Sequence, residues 1–390
     1  MKVAVITERS EVLVGGAERS VFELTAELIT QGIKVRLLAA KGQGQAKHVS
    51  VLCPDAPGKR FPISTFAAAL ERHFAQNRYD IIHSVLPFSF ADVYQPRGGT
   101  YPETIAQHAA SYESAFIGAF KRFTSFMNER RAQLAKAERD LCNNPSGPTV
   151  AALSNYVAGQ LRNYYGLGDE RIAVIQNGIK IDRPIDLAEF AEVKNEICAR
   201  RTGPKPVFFL FAAHNFRLKG LSPLIKATQM ATDNAAPAKP HLFVAGAERS
   251  GPYHRMCKRL GIADSVTFLG NIPHVQNALA VSDVAVLPTF YDPASRFILE
   301  ALAMGKPVIT TRYNGATDLF TNGRHGIVID EPTQIEKLAQ AILYFCDSAN
   351  INKAAAAITA DKLKEELSIE RHTKELIELY KRIIAKRNSK

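Results

Sequence analysis

Short apolar runs alternate with helical stretches along this chain, and the series runs through twice. VAVIT (3–7) has no polar face, AERSVFELTAELITQG (17–32) repeats apolar residues at helical spacing and stops at a glycine, and KVRLLAA (34–40) is a second apolar run. A strand with no polar face is buried on both sides, and a helix between two such strands is the crossover of a parallel βαβ unit. YDIIHSV (79–85), PTVAALS (148–154) and IAVIQNGI (172–179) continue the series. After a polar helix and a loop with Pro184, Gly203 and Pro204, it restarts with PVFFLFAA (206–213), HLFVAGA (241–247), VTFLG (266–270), VAVLP (284–288), PVITT (307–311) and GIVI (326–329).

Two such series predict an α/β protein of two Rossmann-like, doubly wound domains. The expected boundaries are a first domain over 1–180, a linker over 181–205, a second domain over 206–367 and a C-terminal helix over 368–390. That helix carries an apolar stripe through Leu376, Ile377, Leu379, Tyr380, Ile383 and Ile384, so it must pack on another surface, expected to be the first domain. Ligands of such folds bind at the carboxyl ends of the strands. If both sheets turn those ends toward one cleft, the active site lies between the domains.

Composition removes several classes. The five cysteines are scattered and never form a CxxC pair, which argues against a disulfide framework or a zinc site. No apolar run is long enough to span a bilayer, and the opening MKVAVIT lacks the order of a signal peptide, so a cytoplasmic protein is expected. The formal charge of +11 is uneven: residues 201–390 carry 25 Lys/Arg against 17 Asp/Glu. No zinc-ligand pairs or aromatic RNA-binding strand accompany it, so the surplus points to anionic small molecules or membrane rather than nucleic acid.

The most informative segment is PTFYDPASRFILEALAMGKPVITT (288–311). A strand ends, a loop carries Asp292, and Ser295 caps a helix that Gly305 and Pro307 close. A helix start offers N–H groups and about half a positive charge, which favours a phosphate. Asp292 just ahead of it can accept bonds from hydroxyls that the phosphate carries. Glu300 lies about 7–8 Å further along the axis, within reach of a diol on the other side of the phosphates. Sugar, diphosphate, ribose is the order of a nucleotide sugar. Taken singly, Asp292 is usually a cap or turn residue, whereas Glu300 between Leu299 and Ala301 is a carboxylate that needs a partner.

A second anion site is indicated in FAAHNFRLKGLSPLIKA (211–227), where Arg217 and Lys219 follow a strand and Gly220 permits the turn into a helix. Two cations there suit a diphosphate, and a surface basic turn is the plain alternative. Gly15 and Gly16, after the first strand, form neither a full GxGxxG fingerprint nor a Walker A loop. They are either a flexible turn or a close backbone approach to a phosphate.

Together these segments resemble the family-4 retaining glycosyltransferases of the GT-B fold, in order and over nearly the whole chain. GGAER (15–19) resembles the N-terminal glycine loop, QNGI (176–179) the turn ending the first domain, FRLKG (216–220) the Arg/Lys phosphate loop, FLGNI (268–272) the base-contacting turn, and Asp292 to Glu300 the E-x7-E motif, here D-x7-E. YQPRGGTYPE (94–103) is similar to the branch of lipopolysaccharide-core glucosyltransferase I proteins. The resemblance implies two domains facing across a cleft, with the acceptor on the first and the donor on the second. It implies that Arg217 and Lys219 neutralise the leaving diphosphate and Asp292 binds donor-sugar hydroxyls. Ala294, Ser295 and Arg296 would offer backbone groups, Glu300 would hold the ribose, Ile272 would meet the base, and Gly15 and Gly16 would lie near donor phosphates or acceptor.

Two departures stand out. Asp292 is one methylene shorter than the usual glutamate, and PRGGT (96–100) lacks the histidine many relatives place beside the reacting centre, so no protein base is assigned. The reaction implied is front-side displacement with retention from a nucleotide-diphosphate sugar, UDP-glucose or a related UDP-sugar, to a glycolipid or surface-polysaccharide acceptor. No metal and no cofactor beyond that co-substrate are expected. The rival readings are a nucleotide-sugar epimerase or a sugar phosphorylase on the same scaffold, and a catalytically weak nucleotide-sugar-binding protein. In 104–141, Phe116, Phe120, Phe123, Phe126 and Met127 interleave with Lys121, Arg122, Arg130 and Arg131. That pattern fits either a core-facing helix or a peripheral contact with an anionic membrane, which would be the cytoplasmic face of the inner membrane.

Overall fold

The computed structural model describes residues 1–10, 16–42, 46–54, 63–125, 127–181, 184–199, 205–234 and 238–389. They form two compact units: Met1–Ala109 with Glu113–Ile179 and Ile369–Lys390, and Lys180–Ser368 with Ala110–Tyr112.

The first unit is built on β1 (Lys2–Arg9), β2 (Lys34–Lys41), β3 (Val49–Val51), β4 (Ile81–Ser84), β5 (Val93–Tyr94), β6 (Thr149–Ala152) and β7 (Ile172–Val174). Every pairing is parallel and the spatial order is β3-β2-β1-β4-β5-β6-β7. Val3 to Ile6 are wholly buried, as a central strand covered on both faces requires. β3 and β5 have no counterpart among the strands expected from the sequence. β5 is two residues between Asp92 and Gln95, and only its pairing with β4 and β6 makes it a strand.

The C-terminal helix Ile369–Asn388 belongs to this unit. Leu376, Ile377, Leu379 and Tyr380 join Val3, Val5, Leu24 and Leu28 in one core cluster. Burying side chains of this size stabilises by roughly 1.5–3 kcal/mol each. Polar contacts fix the helix in register: Tyr380 Oη lies 2.5 Å from His83 Nδ1, and Arg371 donates to the carbonyls of Gln176 and Asn177 at 3.0 and 2.9 Å.

The second unit is built on β8 (Val207–Ala212), β9 (Pro240–Ala245), β10 (Val266–Gly270), β11 (Val284–Leu287), β12 (Val308–Thr311) and β13 (Gly326–Ile329). Its order is β10-β9-β8-β11-β12-β13, all parallel. The order therefore reverses between β8 and β11, the switch point at which sheets of this kind receive their ligands. The segment expected as a linker is bound into this unit. It forms the helix Ala191–Ala199, Asp186 N–H donates to Asn277 Oδ1 at 2.9 Å, and Lys194 Nζ donates to the Val281 carbonyl at 2.7 Å. The unit starts at Lys180, not at 206, because Phe190 is buried and Val193 and Ile197, on the same helical face, are half-buried, so this short segment docks through a small apolar stripe as well as through Lys194.

Candidate donor site

The second sheet brings the two anion-binding segments together at its reversal point. Gly220 has φ +82, and a Cβ there would lie 2.0 Å from the Pro288 carbonyl oxygen, so only glycine lets the loop after β8 lie on the end of β11. The two loops are joined by Phe290 N–H to Leu218 O at 2.9 Å. Lys219 then reaches across: Nζ donates to Tyr291 O at 2.7 Å and to Asp292 Oδ2 at 2.7 Å. Both side chains of this ion pair are largely buried, at 19% and 16% exposure, so the attraction is screened less than on an open surface. An ammonium has three N–H groups. Two are used here, which leaves the third for an incoming oxygen.

Asp292 is held on both sides by the chain after β12. Its N–H donates to Tyr313 O and its carbonyl accepts from Gly315 N–H, each at 2.9 Å. Asp292 Oδ1 accepts from Ala294 N–H at 3.3 Å. Ser295 caps the helix Arg296–Ala303 by accepting from Ile298 N–H at 3.4 Å. The Ser295 N–H donates to Asn314 Oδ1 at 3.2 Å. The backbone N–H groups of Ala294 and Ser295, expected to serve a sugar or phosphate, thus already have partners in Asp292 and Asn314, and a ligand reaching them must replace those partners.

Arg217 lies with its guanidinium 3.7 Å from the centroid of the Tyr112 ring and donates to Ser111 Oγ, both in the short segment grouped with this unit. A guanidinium stacked by its face keeps N–H groups along its edge for an anion. Glu300, only 5% exposed, has Arg296 one turn before it, with an N–O distance of 3.5 Å. That cation is the partner a carboxylate between Leu299 and Ala301 needs.

Ile272 follows β10 at the outer edge of the sheet, two strands from β8, and is half-buried. Gly16 opens the helix Gly16–Thr30 of the first unit and is exposed; Gly15 lies outside the described residues. Sequence reasoning missed Asn314 and Thr310, which brace the turn. The Asn-Gly pair at 314–315 after PVITT was the available signal, and it reads as an ordinary turn.

Among known proteins, the chain matches Glycosyltransferase Family 4 over residues 14–183 and Glycosyl transferases group 1 over residues 194–363. It belongs to the family-4 glycosyltransferases of the GT-B fold. It is 22% identical over 336 residues to the lipopolysaccharide glucosyltransferase WaaG of Escherichia coli (strain K12), covering 84% of this chain and 85% of that one. The crystal structure of WaaG, a glycosyltransferase involved in lipopolysaccharide biosynthesis, superposes with a TM-score of 0.76 at 20% identity, covering 96% of this chain and 99% of the other. Anabaena Alr3699/HepE in complex with UDP-glucose gives a TM-score of 0.68 at 18% identity, covering 97% and 99%.

Proposed function

We propose that this glycosyltransferase is a metal-independent, retaining hexosyltransferase. It moves a hexose from a nucleoside-diphosphate sugar, UDP-glucose or a related UDP-sugar, to a glycolipid or lipopolysaccharide-type acceptor. The observation that carries this reading is the meeting of the Lys219 ammonium, the Asp292 carboxylate and the start of the Ser295 helix at the reversal point of one sheet. The likeness to WaaG and to a UDP-glucose-bound HepE supports the choice of donor and acceptor.

In this reading Lys219 and Arg217 take the charge of the departing diphosphate. Asp292 accepts from donor-sugar hydroxyls, the 294–296 turn faces the phosphates, Glu300 holds the ribose diol, and Ile272 meets the base. Gly15 and Gly16 border the phosphates or acceptor. The bond from the anomeric carbon to the diphosphate breaks, the acceptor oxygen bonds to the same face, and its proton passes to the departing phosphate oxygen. Positioning and charge stabilisation supply the acceleration. No cofactor is needed beyond the nucleotide sugar and the acceptor.

The acceptor chemistry gains from a second surface. In the helix Ala115–Ser125, Phe116, Phe120 and Phe123 are 82%, 57% and 74% exposed and share one face at i, i+4, i+7, with Lys121 and Arg122 also exposed. The core-facing reading of this helix therefore fails within its own unit; Phe126 lies outside the described residues. An exposed aromatic face beside cations fits the surface of an anionic bilayer, and we place the enzyme peripherally at the cytoplasmic face of the membrane that holds its acceptor.

The test is a panel of UDP-, GDP- and ADP-sugars incubated with lipopolysaccharide-core acceptor in EDTA. Acceptor-dependent transfer from a UDP-hexose with the anomeric configuration kept is the expected result. Donor consumption without acceptor, inversion, or activity only with added Mn²⁺ or Mg²⁺ would contradict it.

A further inference from the structure

Asn314 is wholly buried and every polar atom of its side chain is used. Oδ1 accepts from Ser295 N–H at 3.2 Å and from Ala316 N–H at 3.1 Å, while Nδ2 donates to Thr310 Oγ1 at 2.9 Å. Thr310 Oγ1 in turn donates to Leu287 O, the last residue of β11, at 2.8 Å. The residues flanking Asn314 are the two that bracket Asp292 by backbone bonds. One amide thus ties together the end of β11, the end of β12, the turn that carries Asp292 and the cap of the helix Arg296–Ala303.

We infer that Asn314 is a positioning residue for the donor diphosphate. It touches no reacting atom. It fixes the 292–295 turn in the one register that sets Asp292 against Lys219 and starts the helix at the same spot. This rests on the reading of that turn as the diphosphate site, and it explains why the buried acceptor is an amide. An aspartate would accept the same two N–H bonds, more strongly. It would also put a fixed negative charge, in a poorly screened interior, beside the place where the diphosphate must arrive. A neutral oxygen organises the turn without opposing the anion. The amide's second half adds direction, since only an N–H can donate to a Thr310 oxygen whose own hydrogen is committed to Leu287.

The test compares Asn314→Asp and Asn314→Ala with the wild-type protein. UDP, GDP and ADP binding is measured by calorimetry well below each melting temperature, and KM and kcat are measured with UDP-glucose and acceptor. Asn314→Asp is expected to melt below the wild-type temperature, because the carboxylate is buried and loses the bond to Thr310, and, assayed well below that temperature, to bind the preferred nucleoside diphosphate at least about tenfold more weakly, about 1.4 kcal/mol. The loss should grow as salt is lowered. Asn314→Ala is expected to raise the donor KM by a larger factor than it lowers kcat. If Asn314→Ala does not accumulate folded, Thr310→Val, which removes the acceptor of Nδ2 together with the bond from Thr310 to Leu287 O but keeps both bonds to Asn314 Oδ1, takes its place with a smaller shift of the same sign. Wild-type affinity in Asn314→Asp, or a melting-temperature loss in either variant with affinity and KM unchanged, would overturn the inference by making Asn314 merely structural. A wild-type protein that binds no nucleoside diphosphate would instead overturn the donor-site reading on which it stands.

Discussion

Lys219 Nζ lies 2.7 Å from Asp292 Oδ2 although 73 residues separate the two in the chain. One stands after β8 and the other after β11, neighbours in space because the sheet order reverses between them. The pairing keeps a cation and a carboxylate apart from bulk water at the carboxyl ends of two strands, where α/β folds of this type receive their ligands.

Removing the cation should harm the reaction more than the fold. Lys219→Ala is expected to lower turnover by more than about tenfold, roughly 1.4 kcal/mol of transition-state stabilisation. Glu300→Ala should do the same through the ribose end of the donor, while leaving Arg296 a buried cation without its one-turn neighbour. Steady-state kinetics with purified variants decide this, and wild-type rates in both would remove these residues from the site.

Gly220→Ala should be costly out of proportion to one methyl group. The new Cβ would meet the Pro288 carbonyl at 2.0 Å and the residue would have to hold φ +82. Such strain costs on the order of 1–3 kcal/mol or forces the loop to move, and Lys219 moves with it. Urea unfolding should show the lost stability and donor binding should weaken with it. Unchanged values of both would show that the loop does not need this glycine.

The docking of the C-terminal helix carries a pH signature. Burial holds His83 down to about 3, with Arg97 opposing its charged form further, and holds His372 well below its ordinary value for the same two reasons. Both are neutral when folded and take up a proton once unfolded below about pH 6.5. The unfolded chain therefore binds more protons in this window, and stability must fall as pH falls from about 6.5 toward 3. Each histidine contributes a slope of up to about 1.4 kcal/mol per pH unit. Unfolding free energies at pH 7 and pH 5 should differ more for wild type than for His372→Asn. Equal differences would mean that His372 does not stay neutral on folding.

The aromatic face should govern membrane attachment and leave the donor site alone. Phe116→Ser with Phe120→Ser and Phe123→Ser is expected to abolish co-sedimentation with vesicles containing anionic phospholipid at low salt. Nucleotide binding should be unchanged. Wild-type co-sedimentation by the triple variant, or none by the wild type, would remove the membrane contact.

The central parallel strands are legible because they are buried on both faces, so runs such as VFFLFAA carry no polar residue to blur them. Lys219 and Asp292 were legible for a related reason: charges directly after such runs can only stand at a strand's carboxyl end. Asn314 was not, since an Asn before Gly serves turns everywhere, and only the tertiary structure buries it against Ser295 and Thr310. The helix Ala115–Ser125 stayed ambiguous because helical spacing tells which residues share a face but not whether that face meets a core or solvent. β5 escaped because two residues have no period.

The most direct measurement is UDP binding by titration calorimetry to the wild-type protein and to Lys219→Met, which keeps the length of the side chain and removes its charge. The wild type should bind, and Lys219→Met should bind at least about tenfold more weakly, 1.4 kcal/mol or more, with its salt dependence reduced. Equal affinity in the two proteins would mean that the diphosphate is held elsewhere and that the Lys219–Asp292 pair only braces the loops.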